Sequence, residues 1–193
     1  MSATNYRVES HAGVHILRLD SHDGTNRLTR DCVLGLTEAI VALAVPPIPL
    51  AITGSERYFS VGADLSEISA LDATGALEFS RMGQALMSAI HDFPAPVCAA
   101  ISGYCMGGGL DLALACHRRI ASPHAMFGHR GAALGLITGW GGTQRLPRLI
   151  GKGRALEMFI AAEKLDARRA LRIGLVDAIA ENPLAEAVRI LQT

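Results

Sequence analysis

Three consecutive glycines, Gly107-Gly108-Gly109, with Asp111 just beyond them, form the stretch of this 193-residue sequence best suited to chemistry. Glycine lets a backbone come close to a ligand, and the free N–H groups at a helix start point outward with the positive end of the helix dipole. A strand, such a turn and then a helix therefore suit a phosphate or a developing oxyanion. The phosphate readings fail on spacing, because there is no G-x-G-x-x-G after a strand and no G-x-x-x-x-G-K-[ST]. G-x-S-x-G is absent too, which removes the commonest serine hydrolase elbow. Gly151-Lys152-Gly153 follows a predicted helix and reads as a helix–helix turn. Two readings of the triple glycine stay open: an oxyanion site, or glycines needed only for close strand–helix packing. A second segment, Phe59-Ser60-Val61-Gly62-Ala63-Asp64, has the same layout, and two such turns can each present one N–H to a single oxygen.

The elements that must position these turns follow from hydrophobic period. Tyr6–Glu9 and Val14–Leu19 alternate apolar and polar residues around His11-Ala12-Gly13 and predict two strands. Thr29 reads as an N-cap for a helix with Val33, Leu36, Ile40 and Leu43 on one face, ended by prolines. Pro49–Thr53 and Val97–Ile101 are short continuous apolar runs, as in strands buried on both faces. The first leads through Phe59–Asp64 to a short helix near Leu65–Ile68, then to a longer one through Leu77, Met82, Leu86 and Ile90. The second leads through Ser102–Met106 to the glycine turn and a buried helix over Leu110–Ala115. Arg119–Ala121 and Ala125–Phe127 read as strands flanking Ser122-Pro123-His124. The remainder reads as helices over Trp140–Ile150, Gly153–Ala162, Ala167–Arg172 and Leu184–Leu191. This alternation predicts α/β layers in one domain over residues 1–193, without internal repeats or linkers.

Composition narrows the function classes. Eighteen basic and eighteen acidic side chains balance, giving no electrostatic reason to expect nucleic acid or an anionic membrane. Residues 40–52 are broken by prolines, and residues 95–116 carry three glycines and Asp111, so neither run reads as a membrane span. The start, MSATNYRVES, lacks the pattern of a signal peptide. The four cysteines have no C-x-x-C pair and read as buried free thiols of a reducing cytoplasm. The histidines show no metal-ligand spacing, so no metal is expected.

Three stretches, AITGSERYFSVGADLSEI, APVCAAISGYCMGGGLDLALACHRRIAS and GLITGWGGTQRLPRLIGKGRALEM, resemble the signatures of the enoyl-CoA hydratase/isomerase, or crotonase, superfamily. The likeness runs from Tyr6 to about Val188, and Asn26-Arg27-Leu28 matches an early family segment. The resemblance implies a crotonase/ClpP-type ββα spiral with two near-perpendicular sheets surrounded by helices, assembled as a homotrimer or dimer of trimers. It also implies a coenzyme A thioester as substrate, with no separate cofactor. The thioester oxygen would lie between the N–H groups of Ala63 and Gly108, with Gly62, Asp64 and Gly107 as motif neighbours that bind substrate. Such a donor is typically worth ~3–4 kcal/mol of catalysis.

Hydration in that family uses two glutamates around one water, and this sequence departs at both. The first position is Asp111, and the second aligns with Gly131, so one carboxylate is absent. One group can still move a proton between carbons or protonate an enolate. The expected chemistry is therefore isomerisation, decarboxylation or thioester cleavage rather than simple hydration, with Asp111 as proton carrier. His129 could serve as base or acid near neutral pH, and Arg130 could grip a substrate carboxylate. Alternatively both line a loop and touch solvent or a neighbouring subunit. Trp140 reads equally as a wall of the acyl pocket or as an aromatic anchor at a helix start. The family also continues with C-terminal helices where this sequence stops at Thr193. A non-catalytic acyl-CoA-binding or assembly subunit is the alternative from another class.

Overall fold

The computed structural model describes residues 5–193, so the reading of the first ten residues and the domain span rest partly on residues 1–4, outside the described residues. A hairpin opens the fold, β1 (Tyr6–His11) and β2 (Val14–Leu19), turned by Ala12 at φ 53° and Gly13 at φ 78°. After β3 (Arg27–Leu28) comes α1 (Arg30–Leu43), whose N-cap Thr29 accepts from Cys32 N–H as expected. The chain continues through β4 (Leu50–Thr53), β5 (Tyr58–Ser60), β6 (Gly62–Ala63), α2 (Leu65–Ser69) and α3 (Ala73–His91). Next come β7 (Val97–Ile101), β8 (Tyr104–Met106), α4 (Gly108–Ala115), β9 (Arg118–Ala121) and β10 (Met126–Gly128). A 3-10 turn (Gly131–Leu134) then leads to α5 (Gly142–Ile150) and α6 (Lys152–Ala161). The chain ends with β11 (Leu165–Asp166), α7 (Ala167–Arg172), β12 (Ala178–Ile179) and α8 (Pro183–Leu191).

The strands form a six-stranded sheet in the order β1-β2-β4-β7-β9-β12, a four-stranded sheet β11-β10-β8-β5 and the small pair β3-β6. Within the large sheet only β1 runs antiparallel to its neighbour. Three times the chain lays one strand in the large sheet, the next in the smaller sheet, and then returns through helix: β4-β5-α3, β7-β8-α4 and β9-β10-α5. This is the ββα repeat of the expected spiral, present in structure although no repeat is legible in sequence. The strands on either side of Ser122–His124 accordingly do not form a hairpin. β9 joins the large sheet and β10 the smaller one.

Burial on both faces explains the continuous apolar runs. In β7, Val97, Ala99 and Ile101 face a core shared with Leu36 and Ile40 of α1 and Leu86 and Ile90 of α3. Cys98 and Ala100 face the opposite way, against Ala187, Val188 and Leu191 of α8. Strand period 2 splits one apolar run between two cores. The four cysteines are free and buried. Burial pushes the Cys32 and Cys98 thiols from 9.0 up to about 12.

Several short elements were not expected, among them β8, read as a lead-in, and β11 and β12, read as part of a helical remainder. Two or three residues carry too little period to announce a strand. They pair only because β10 and β9 present open edges to them.

Candidate active site

Strand β8 ends at the start of α4, strand β5 leads through β6 to the start of α2, and the two turns meet. Strand β8 runs into Gly107, whose φ of 51° and ψ of −120° suit glycine alone. Its N–H donates to Gly128 O at 2.9 Å, tying the turn to the end of β10. Gly108 is the first residue of α4, so its N–H has no acceptor within the helix. Gly62, at φ 93°, brings β6 against that same turn. A Cβ on Gly62 would lie 2.9 Å from Gly108 N, and one on Gly108 would lie 3.3 Å from Ala63 N. The backbones carrying the Ala63 and Gly108 N–H groups are therefore in contact. Gly109 does a different job, because a side chain there would strike Ser60 Cβ at 2.7 Å. Close packing and close approach, the two readings of the triple glycine, fall on different members of it.

Ser60 holds the other turn. Its hydroxyl donates to Asn26 O at 2.7 Å and accepts from Gly62 N–H at 3.0 Å. Asp64 is the N-cap of α2, accepting from Ser66 and Glu67 N–H, and its partner Arg27 lies at 3.3 Å. Hydrogen bonds, above all from the Ser66 hydroxyl, hold its carboxyl below the usual range. The side chains of this segment thus shape the Ala63 backbone. Ala63 borders the cleft; Gly62 and Asp64 do not, so the structure gives no contact for the substrate-binding role expected of those two.

A cleft of about 560 Å³ opens at this junction, with Ala63, Gly107, Gly108, Asp111, His129 and Trp140 among its lining. Asp111 sits one turn into α4 and is 1% exposed. Its Oδ2 accepts from the Thr138 hydroxyl. Its Oδ1 faces Nε2 of His129, itself 4% exposed, at 3.3 Å. That is ion-pair distance without hydrogen-bond alignment, and neither atom has another hydrogen-bonding partner among the described residues. Buried polar atoms left this way are uncommon in folded proteins. Gly142, the first residue of α5, makes the encounter possible: a Cβ there would lie 2.1 Å from Asp111 Oδ1 and 3.0 Å from His129 Nε2. The His129 ring rests on Phe159 of α6 at 5.1 Å between centroids.

Arg130 is exposed at the cleft, and Gly131 begins the 3-10 turn. The Gly131 carbonyl accepts from Leu136 N–H at 2.8 Å, and a Cβ on Gly131 would lie 2.6 Å from Leu136 O. More than a carboxylate is missing at this position, because returning backbone occupies the space a side chain would need. Trp140 is both wall and anchor. It lines the cleft, and its Nε1–H donates to Phe79 O at 3.1 Å. Gly83 inside α3 is explained by it, since a Cβ there would lie 2.1 Å from Trp140 Cδ1. Glycine within a helix otherwise costs up to ~1 kcal/mol relative to alanine.

The family described as Enoyl-CoA hydratase/isomerase matches residues 9–192. The chain belongs to the enoyl-CoA hydratase/isomerase family. It is 37% identical over 184 residues to a crotonyl-CoA hydratase of Syntrophomonas wolfei, covering 94% of this chain and 71% of that relative. Among solved structures, DspI of Pseudomonas aeruginosa superposes with a TM-score of 0.92 at 36% identity, over 99% of this chain and 82% of that one. An enoyl-CoA hydratase of Bacillus anthracis gives a TM-score of 0.92 at 32% identity, over 97% and 75%. Within this enoyl-CoA hydratase/isomerase fold, sequence reasoning named Asp111 and His129 and missed Thr138 and Gly142. The signal for both lay in Thr138-Gly139-Trp140-Gly141-Gly142, where a hydroxyl and a glycine pair flank the aromatic. Among the described residues no group of three His, Cys, Asp or Glu is placed to hold a metal, and no helix is long and apolar enough to cross a membrane.

Proposed function

We propose that this protein acts on an enoyl-coenzyme A thioester and moves its double bond by proton transfer, with the Ala63 and Gly108 N–H groups stabilising the enolate oxygen. One observation carries the choice of isomerisation over hydration: a single buried acid–base pair, Asp111–His129, borders the cleft, while the second carboxylate position is closed by Leu136 backbone. Water addition needs one group to activate water and another to protonate the α-carbon. A double-bond shift needs only one proton carrier. The pair removes a proton from the α-carbon, charge moves onto the thioester oxygen, and the same proton returns at the γ-carbon, so atoms and charge balance without a co-reactant. Thr138 holds one Asp111 oxygen, and the other faces His129. The names of the relatives favour hydration; the absence of a carboxylate at Gly131 is the argument against it. Decarboxylation or thioester cleavage would use the same oxyanion pair. The homotrimer or dimer of trimers expected from the resemblance belongs to this proposal.

The test is turnover of purified protein on 3-enoyl, 2-enoyl, malonyl-type and aromatic coenzyme A thioesters, with products followed by mass and ultraviolet absorbance. Isomerised 3-enoyl thioester, lost in Asp111→Ala, is the expected result. Efficient hydration of crotonyl-CoA would overturn the choice of reaction. Binding without turnover across the panel would replace the enzyme reading with that of an acyl-CoA-binding subunit.

A further inference from the structure

Trp140 is the sequence's one tryptophan and is 3% exposed, filling the gap between α3 and the start of α4. Two glycines from different elements are cut away for it: a Cβ on Gly83 would lie 2.1 Å from Cδ1, and one on Gly108 would lie 2.5 Å from Cζ3. The indole is held rather than merely packed. Its N–H donates to Phe79 O, and the Phe79 ring lies 5.1 Å away between centroids. Its six-membered ring consequently borders the same residue that presents the Gly108 N–H to the cleft. Leu65, Ile68, Leu71 and Ile137 form an aliphatic stretch of the cleft wall, which Phe79 and Phe159 also line.

We infer that Trp140 determines acyl specificity: its indole closes the inner end of the cleft beside the oxyanion pair, selecting unbranched aliphatic acyl groups over aromatic or branched ones. The inference rests on the acyl-thioester reading above, not on the reaction assigned to it. A substituent on the α- or β-carbon that points toward α3 meets a ring fixed on both sides, so the wall cannot yield. An extended chain turns instead toward Leu65, Ile68 and Ile137, where contact is apolar and no polar group is stranded. Discrimination by shape in an apolar pocket of this kind is worth roughly 10–200-fold.

The sole tryptophan is also its own reporter. Native protein is titrated with octanoyl-, benzoyl- and pivaloyl-CoA, which have no double bond to shift, and with coenzyme A alone, by indole emission and calorimetry. The expected result is a saturable emission change with octanoyl-CoA and none with coenzyme A alone. Octanoyl-CoA should bind about 10-fold or more tightly than the other two thioesters, by the same shape argument. Calorimetry on Trp140→Ala should show that preference abolished or reversed. Trp140→Phe, which keeps a ring between the two glycines, should retain most of it, and serves if the alanine variant does not fold. Octanoyl-CoA binding that leaves the emission unmoved, an unchanged ranking in Trp140→Ala, or loss of the preference in Trp140→Phe would overturn the inference. Failure of every thioester to bind would overturn it together with the acyl-CoA reading.

Discussion

The cleft has two sides with different histories of constraint. On one side, Phe59–Asp64 and Tyr104–Asp111 are locked by short-range devices: Ser60 on Asn26 and Gly62, Asp64 capping α2, and Gly107 in a conformation only glycine adopts. On the other, within residues 129–142, Gly131 stands where the resemblance implies a carboxylate, and Leu134, Leu136 and Ile137 expose apolar side chains. The first side presents backbone N–H groups, whose positions are set by turns that Ser60, Asp64 and the glycines hold. The second supplies side chains, and His129, Thr138 and Gly142 converge there on Asp111. On the proposed function, the backbone groups serve the oxyanion and the converging side chains move the proton.

This contrast can be broken first on the backbone side. Gly108→Val should lower kcat/KM by about 10²–10³-fold or more, because the new side chain must displace Trp140 and with it the N–H. Circular dichroism should show the fold retained; full activity would remove Gly108 from the oxyanion pair. On the other side, Asp111→Asn should reduce turnover by about 10²–10⁴-fold with thioester binding little changed. His129→Gln should give a smaller loss of turnover. Turnover unmoved by that change would leave His129 with a packing role only.

Gly131→Glu sharpens the comparison further. If only a carboxylate were missing, this variant would hydrate crotonyl-CoA. Given the Leu136 carbonyl in its way, the expectation is no gain of hydratase activity and a loss of ~1–3 kcal/mol in denaturant unfolding. Hydration gained without loss of stability would show that the loop readily opens. Asp64→Ala should cost ~1 kcal/mol through the lost cap, with a modest drop in turnover because Ala63 precedes it. The smallest effect concerns the core. Cys32 and Cys98 have folded-state values raised to about 12, so their contribution to stability is whole below the unfolded thiol value of about 8.5. It should decline as pH rises from there toward 12, and a thiol reagent at pH 8 should label the protein only after unfolding.

Much of this was legible along the chain. The apolar run of β7 predicted a strand buried on both faces, Thr29 predicted the start of α1, and the triple glycine predicted a turn into a helix. Each of these depends on residues within a few positions of one another, where period, caps and allowed φ decide the outcome. β8, β11 and β12 were not legible, because strands of two or three residues exist only through their neighbours.

The sequence by itself determined the family, the two glycine turns, and the substitution of Gly131 for a carboxylate. Tertiary structure alone decided which strand entered which sheet, and so brought Asp111 to His129 and Thr138, the latter 27 residues away in sequence. It also set Trp140 against Gly83 and laid the Leu136 carbonyl where a side chain at 131 would go. Such meetings depend on how all the apolar faces are buried at once, and no local pattern encodes that solution.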